Sequence, residues 1–204
     1  GPGAHGLLGP NGSGKTTFLN LITGQLRPTL GRVRVFGENP RNNSRVLRGI
    51  GVCPADESMY SNVSGLEWVR YQMELHGLSS TDADRCAKDA LQLAGMSDAM
   101  HRTIRTYSRG MRQRTKFAQA IAHNPDLLVL DEPYNGLDPI GRHELTEMLH
   151  AWIGRGKNVI LASHVLYEVE AISHSFLLIC GGRLLASGTS EEVNSLLSNI
   201  SREV

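Results

Sequence analysis

Long apolar runs are missing from this chain of 204 residues. The longest, Leu127-Leu-Val-Leu130 and Phe176-Leu-Leu-Ile-Cys180, fall far short of the roughly 18 residues a helix needs to cross a bilayer. Charge of one sign is missing too. With 21 Lys and Arg against 20 Asp and Glu, the formal net charge is +1, so no overall field draws the chain to nucleic acid or anionic lipid. Cysteine is scarce: Cys53, Cys86 and Cys180 are odd in number, far apart and without CxxC spacing. That argues against a disulfide frame or a zinc site and fits reduced thiols in a cytosolic protein. No aromatic is interleaved in the basic cluster Arg109, Arg112, Arg114, Lys116, which therefore reads as a solvated helix face and not a nucleic-acid patch. Internal repeats and low-complexity tracts are absent. The chain opens on Gly1 without an initiator methionine, and the expectation is that strands ahead of it have been removed.

What the chain has is glycine in a pattern. Gly9-Pro-Asn-Gly-Ser-Gly-Lys-Thr-Thr17 fits G-x-x-x-x-G-K-[ST], with Gly9, Gly14, Lys15 and Thr16 at the fixed positions. Glycines at 9, 12 and 14 let successive main-chain N–H groups around Asn11, Ser13 and Thr17 turn inward on an anion, because no Cβ stands in the way. Lys15 adds a point charge for β- and γ-phosphates, and the Thr16 hydroxyl suits the Mg²⁺ that travels with them. Gly6-Leu-Leu8 reads as a strand entering the loop, and Thr17-Phe-Leu-Asn-Leu-Ile22 as the helix whose N-terminus faces the phosphates. The reading is a nucleoside-triphosphate site.

The remaining pattern predicts an α/β fold. Arg32 to Phe36 alternates polar and apolar residues like a half-buried strand. Gly49-Ile-Gly-Val-Cys53 reads as a buried strand stopped by Pro54. From Ser64 to about Gly95 the pattern is helical only. Ser64-Gly-Leu-Glu67 is a capping box ahead of Leu66, Val69, Met73 and Leu75, and a second helix carries Cys86, Ala90 and Leu93 on one face. A long helix starts at Ser108. Leu127 to Leu130 and Asn158 to Ala162 read as buried strands, and Phe176–Ile179 with Arg183–Ala186 as a hairpin across Gly181-Gly182. Thr189 caps a last helix. Strands alternating with helices predict a mainly parallel sheet flanked by helices, with a helical lobe inserted.

Asp131 and Glu132 stand just past the end of the strand Leu127–Leu130, where open α/β sheets collect their ligands. Asp131 suits Mg²⁺, and Glu132 suits a base that orients and deprotonates an attacking water.

Gly9–Thr17, Tyr107-Ser-Arg-Gly-Met111, Leu127–Pro133, Asn135-Gly-Leu-Asp138 and His164 occur in an order that resembles the ATP-binding cassette (ABC) ATPases, over essentially the whole chain. The run after Ser108 looks most like the ATPase subunits of ABC-2-type exporters. The resemblance implies a P-loop NTPase fold, with a RecA-like core over 1–54 and 105–204 and the helical lobe over 55–104. It implies that Ser108 and Gly110 cap the γ-phosphate bound on an opposite protomer, and that Asn135, Gly136, Leu137 and Asp138 form the loop coupling two sites. His164 corresponds to the switch histidine beside the γ-phosphate. ATP and Mg²⁺ as ligands, a head-to-tail homodimer, a separate transmembrane permease and a place on the cytoplasmic side of the membrane follow as expectations, with no nucleic acid.

Three departures stand against the pattern. Ala55 follows Pro54 where the family usually has glutamine, and alanine can neither touch Mg²⁺ nor orient water. Arg109 and Met111 replace the usual glycine and glutamine of the signature segment. The adenine-stacking aromatic and first strands of the family would lie upstream of Gly1, leaving Arg32–Phe36 an unpaired edge. The rival readings are a soluble cassette ATPase acting on ribosomes or DNA, and a degenerate ATP-binding module with poor turnover.

Overall fold

The computed structural model describes residues 3–56, 59–173, 175–189 and 191–192. Among these, six strands form one sheet: β1 (Ala4–Leu8), β2 (Ile50–Cys53), β3 (Leu127–Asp131), β4 (Asn158–Ser163), β5 (Ser175–Cys180) and β6 (Arg183–Gly188). The order is β2-β3-β4-β1-β5-β6. All neighbours run parallel except the terminal hairpin β5–β6.

The apolar run of β3 explains its central place. Side chains alternate across a sheet, so Leu127 and Val129 face one side while Leu128 and Leu130 face the other, and all four are buried. Leu127 and Val129 join Leu19 and Ile22 of helix α1 (Lys15–Ile22) and Val46 of α2 (Ser44–Arg48). Leu128 and Leu130 join the larger cluster, which runs on into Phe117 of α5 (Arg109–Ile121), Leu149 of α6 (Pro139–Gly154) and Val169 of α7 (Leu166–Glu170). Each leucine so buried contributes about 2 kcal/mol. Between β2 and β3 the described residues are helical. Helix α3 (Gly65–Leu75) starts at the Ser64–Glu67 capping box and packs on α4 (Ser80–Leu93), and both share the larger cluster through Val69, Met73, Ala87 and Leu91.

Register sets the site. Leu8 pairs with Ser163 and Asp131 with Ala162, so β1, β3 and β4 end side by side. The phosphate loop, the acid pair and His164 all leave the sheet at the C-terminal ends of these interior strands.

Several expectations need correction. Residues 32–36 form no strand: their pairing is a single bridge between Val35 and Glu38, Phe36 has φ +52°, and its ring is half exposed. Alternation supplies propensity, but a strand is held by its neighbour, and none of the described strands lies beside this segment. The buried face of α4 is Ala83, Ala87, Ala90 and Leu91, while Leu93 is exposed; Leu75 of α3 is exposed as well. Side-chain size misleads here, because it is the small alanines that let α4 approach α3 and α5. The helix after His164 is short, Leu166–Glu170. The last helix lies largely outside the described residues, although Thr189 N–H and Glu192 Oε2 already make the first bond of its capping box at 2.8 Å.

Candidate functional site

Gly12 and Gly14 adopt φ +78° and +105°, a region that disfavours any side chain, and Gly14 is the N-cap of α1. Gly9 is required for a different reason: a Cβ there would collide with the Ile179 carbonyl and the Ser13 hydroxyl. The loop is also tied to the sheet, since Gly9 N–H donates to Ser163 O at 3.4 Å and Gly182 N–H to Ser13 O at 2.8 Å. Asn11, Gly12, Thr16 and Thr17 are exposed on its outer rim, whereas Ser13 is buried and its Oγ has no hydrogen-bond partner among the described residues.

Lys15 is buried at 6% exposure and bends back over the loop, donating to Gly9 O at 2.7 Å and Pro10 O at 3.3 Å. Its ammonium lies 3.4 Å from Glu132 Oε1, an oxygen that makes no hydrogen bond among the described residues. The other carboxylate oxygen, Oε2, lies 2.9 Å from His164 Nδ1 and 3.4 Å from Ser163 Oγ. Glu132 has φ +49°, an uncommon conformation for a residue with a side chain, costing on the order of 1 kcal/mol and concentrated at functional sites. Its N–H donates to Ala162 O at 2.9 Å, which aims the side chain toward Lys15.

Asp131, at 5% exposure, accepts from Thr16 Oγ1 at 2.7 Å. Burial pushes its carboxyl pKa up. The Thr16 bond and the charges of Lys15 and Lys116 oppose that rise, while the Glu132 charge adds to it. A hydroxyl and a carboxylate converging beside loop amides are hard oxygen donors that suit Mg²⁺. No cluster of three or more His, Cys, Asp or Glu able to hold a metal occurs among the described residues, so the other ligands of such an ion would be phosphate oxygens and water.

A second group of predicted residues gathers elsewhere. Ser108 caps α5 by accepting from Met111 N–H at 3.2 Å, and Asp138 caps α6 by accepting from Gly141 N–H at 2.8 Å. Ser108, Gly110, Gly136, Leu137 and Asp138 line one cleft, and the stem of Arg109 lies against Gly136 so closely that a Cβ there would strike it. Asn135 and Gly136 are exposed, Leu137 is buried, and Asn135 N–H donates back to Glu132 O at 3.1 Å. No phosphate-loop residue lines this cleft.

The basic cluster is not a solvated face. Lys116 is buried at 4% exposure and donates to the carbonyls of Pro54 and Asp56, both at 2.8 Å, straddling Ala55. Arg114 is paired with Glu144. Gln113 reaches Cys53 Sγ at 3.6 Å, and burial raises that thiol's pKa to about 11, leaving it inert. Ala55 itself is exposed beside Thr16 and Asp131. Two charged residues that sequence reasoning passed over, Arg142 and Glu168, also reach this site. The signal was present in Glu168, a carboxylate set between Leu166 and Val169 on the apolar side of a short helix.

A strand running through a glycine loop into a helix, with an acid pair at the end of a second parallel strand set across β4 from the first, defines a P-loop nucleotide-binding domain. Residues 3–135 match the ABC transporter family, and the chain belongs to it. Over 97% of its length it is 36% identical to the daunorubicin/doxorubicin resistance ATP-binding protein of Streptomyces peucetius, covering 61% of that protein. It is 34% identical over 89% of its length to the bacitracin transport ATP-binding protein of Bacillus licheniformis, covering 59%. With a Nod factor export ATP-binding protein of Cupriavidus pinatubonensis it shares 35% over 92%, covering 58%. The chain thus spans about three-fifths of the length of these relatives. Among solved structures, an ATP-binding subunit of an ABC transporter superposes with TM-score 0.84 at 26% identity, over 96% of this chain and 82% of that one. A dimeric ATP-binding cassette in a post-hydrolysis state with ADP and Pi has the same fold, at TM-score 0.84 and 22% identity over 92% and 85%. No helix among the described residues is long and apolar enough to cross a membrane.

Proposed function

We propose that the chain hydrolyses ATP as one half of a head-to-tail pair and drives a separate membrane permease in export. The observation that carries the reading is the convergence of Lys15 and His164 on Glu132, beside the loop whose glycines free its amides. In this reading the amides of 9–17 and Lys15 bind the β- and γ-phosphates. Glu132 orients a water and takes its proton as the oxygen attacks the γ-phosphorus and ADP leaves. His164 holds the carboxylate and reaches the γ-phosphate. Thr16 and Asp131 would hold Mg²⁺, which neutralises charge on the phosphates when bound.

The sealing group is Ser108 and Gly110 at the start of α5. That helix end carries the partial positive charge an anion favours, and in one chain it lies in a cleft apart from the loop. A twin chain turned about a two-fold axis would bring it to the γ-phosphate, with Asn135–Asp138 between the two sites. Residues 55–104 act as the helical lobe against a core of 1–54 and 105–204, and the permease docks on the cytoplasmic face of the membrane. The test is phosphate release from Mg-ATP by wild type and Glu132→Gln. At least about a 100-fold loss with ATP binding kept is expected, and equal rates would remove Glu132 from the mechanism.

A second reading is favoured by Ala55. A chain that closes on ATP but turns over poorly would show ATP-dependent pairing with phosphate release near background in the wild type.

A further inference from the structure

Three polar side chains lead from the loop Asn135–Asp138 into the site, and none belongs to the motifs that carry the proposed chemistry. We propose that Arg142, Glu168 and Ser163 form a positioning relay that keeps the Ser163 proton away from Glu132 and ties that arrangement to the loop. The inference rests on reading Glu132 as the base.

Glu168 is 5% exposed, and a buried carboxylate persists only where it is paired. It has two partners. Arg142 Nη1 donates to Oε1 at 2.6 Å, and Ser163 Oγ donates to Oε2 at 2.6 Å. Arg142 in turn donates from Nε to Leu137 O at 3.2 Å, within the loop, and from Nη1 to the Tyr167 hydroxyl at 2.8 Å. Its planar fork therefore reads loop and carboxylate together, which a lysine cannot do. The relay is built on α6, α7 and the end of β4, so the loop and the site share one rigid bridge.

Ser163 is where the arrangement becomes a choice. It is fully buried, accepts from Val165 N–H at 3.1 Å, and stands between two carboxylates: Glu168 at 2.6 Å and Glu132 at 3.4 Å. A hydroxyl has one proton to give. At these distances Glu168 takes it, and Glu132 Oε2 keeps a lone pair that no serine proton occupies. If Arg142 is drawn away, Glu168 loses the cation that fixes it and the hydroxyl can turn to Glu132. It then occupies the lone pair needed for water and pulls the carboxylate back toward β4. Movement of Leu137 is thereby felt at the base through four hydrogen bonds, with Ser163 next in the chain to His164.

The experiment uses four variants with Mg-ATP, reading kcat, KM and equilibrium ATP binding, with thermal melts as a control. Glu168→Gln keeps the shape and an acceptor for Arg142 but is a weaker acceptor for Ser163. About a tenfold fall in kcat with unchanged KM and ATP binding is expected. Adding Ser163→Ala to Glu168→Gln removes the misdirected proton and restores kcat at least about threefold over Glu168→Gln alone. A merely structural role predicts the opposite, a further loss. Should Glu168→Gln fail to fold, Arg142→Lys decides, because it keeps the charge and loses the Leu137 contact; kcat should fall with KM unchanged. Glu132→Gln separates the two ideas. If it is inactive while Glu168→Gln and Arg142→Lys match wild type, the relay is overturned and the base stands. If it turns over like wild type, the base reading fails first.

Discussion

The cleft at the ends of β1, β3 and β4 and the cleft at the start of α5 are built from the same kinds of residue, put to different use. In the first, every charged side chain is held by another part of the chain: Lys15 by loop carbonyls and Glu132, Asp131 by Thr16, and Glu132 by His164. In the second, Ser108 and Asp138 cap their own helices, and Gly110 shows only main chain. The first is preorganised to stabilise charge, the property that makes a catalytic site effective. The second has the polarity of an anion site but no counterpart to act on in its own chain. On the proposed reading, the difference is that between a cleft built for chemistry and one left to meet a ligand brought by a second copy. Helix α5 joins them, with its N-terminus in one and Lys116 beside the other, about 12 Å further along its axis.

The sharpest way to break this comparison is Gly110→Asp. A Cβ on Gly110 meets nothing nearer than Leu137 at 3.7 Å, so the chain has room for it. An acid in the first turn of α5 also favours the helix by about 0.5 kcal/mol. Folding and ATP binding by a single chain should therefore survive. Facing a partner's γ-phosphate, the same charge is repulsive, and ATP-driven pairing in a Glu132→Gln background should fall at least about 100-fold by sedimentation. Pairing that persists would mean the second cleft is only a helix start.

How much of this was legible beforehand depended on how local each reason is. Gly12, Gly14, Lys15 and Thr16 could be read because each position has its own steric or chemical cause within nine residues. The central strands were readable because a run buried on both faces has few alternatives. Arg32–Phe36 misled because the alternation was real and the neighbour strand was not there. Lys116 and Glu168 were hidden for a related reason. Lys116 answers to carbonyls about 60 residues away in the chain, and Glu168 to Arg142 on another helix, so even where apolar neighbours hinted at burial, as for Glu168, the partner lay out of local view.

The far end of α5 offers a smaller test through pH. His123 stacks on His76 at 4.2 Å, and its Nε2 donates to Ile50 O at 3.0 Å while Nδ1 is buried without a partner among the described residues. Burial lowers its pKa to about 4, with the His76 charge adding to the shift and the Ile50 bond opposing it. His76 is lowered in the same direction by burial and by Arg48. The unfolded chain thus binds a proton below about pH 6.5 that the folded chain refuses until about pH 4. Stability is full above that window and falls as pH drops through it, by about 2 kcal/mol from His123 at pH 5. Urea midpoints at pH 7.5 and 5 measure the loss, and His123→Gln should flatten it. An unchanged pH slope in that variant would place the acid sensitivity elsewhere.

The smallest effect tests the link between the two clefts. Lys116 holds Pro54 and Asp56 by their carbonyls, so the segment carrying Ala55 is fixed through its main chain by a buried side chain of α5. Replacing it with Met keeps the stem's volume and removes the donor. Hydrogen bonds from a charged group are worth about 1.5–3 kcal/mol each, but relief of a buried ammonium offsets most of this. A net loss of only about 1 kcal/mol is expected in the denaturant midpoint. The local consequence should be larger than the global one: amide exchange at Ala55 and Asp56 speeds up, while that of β3 does not. If Lys116→Met leaves exchange at 55 and 56 unchanged, α5 does not govern that segment, and the links left between the two clefts among the described residues are the Arg142–Glu168 pair and the Asn135 N–H bond to Glu132 O.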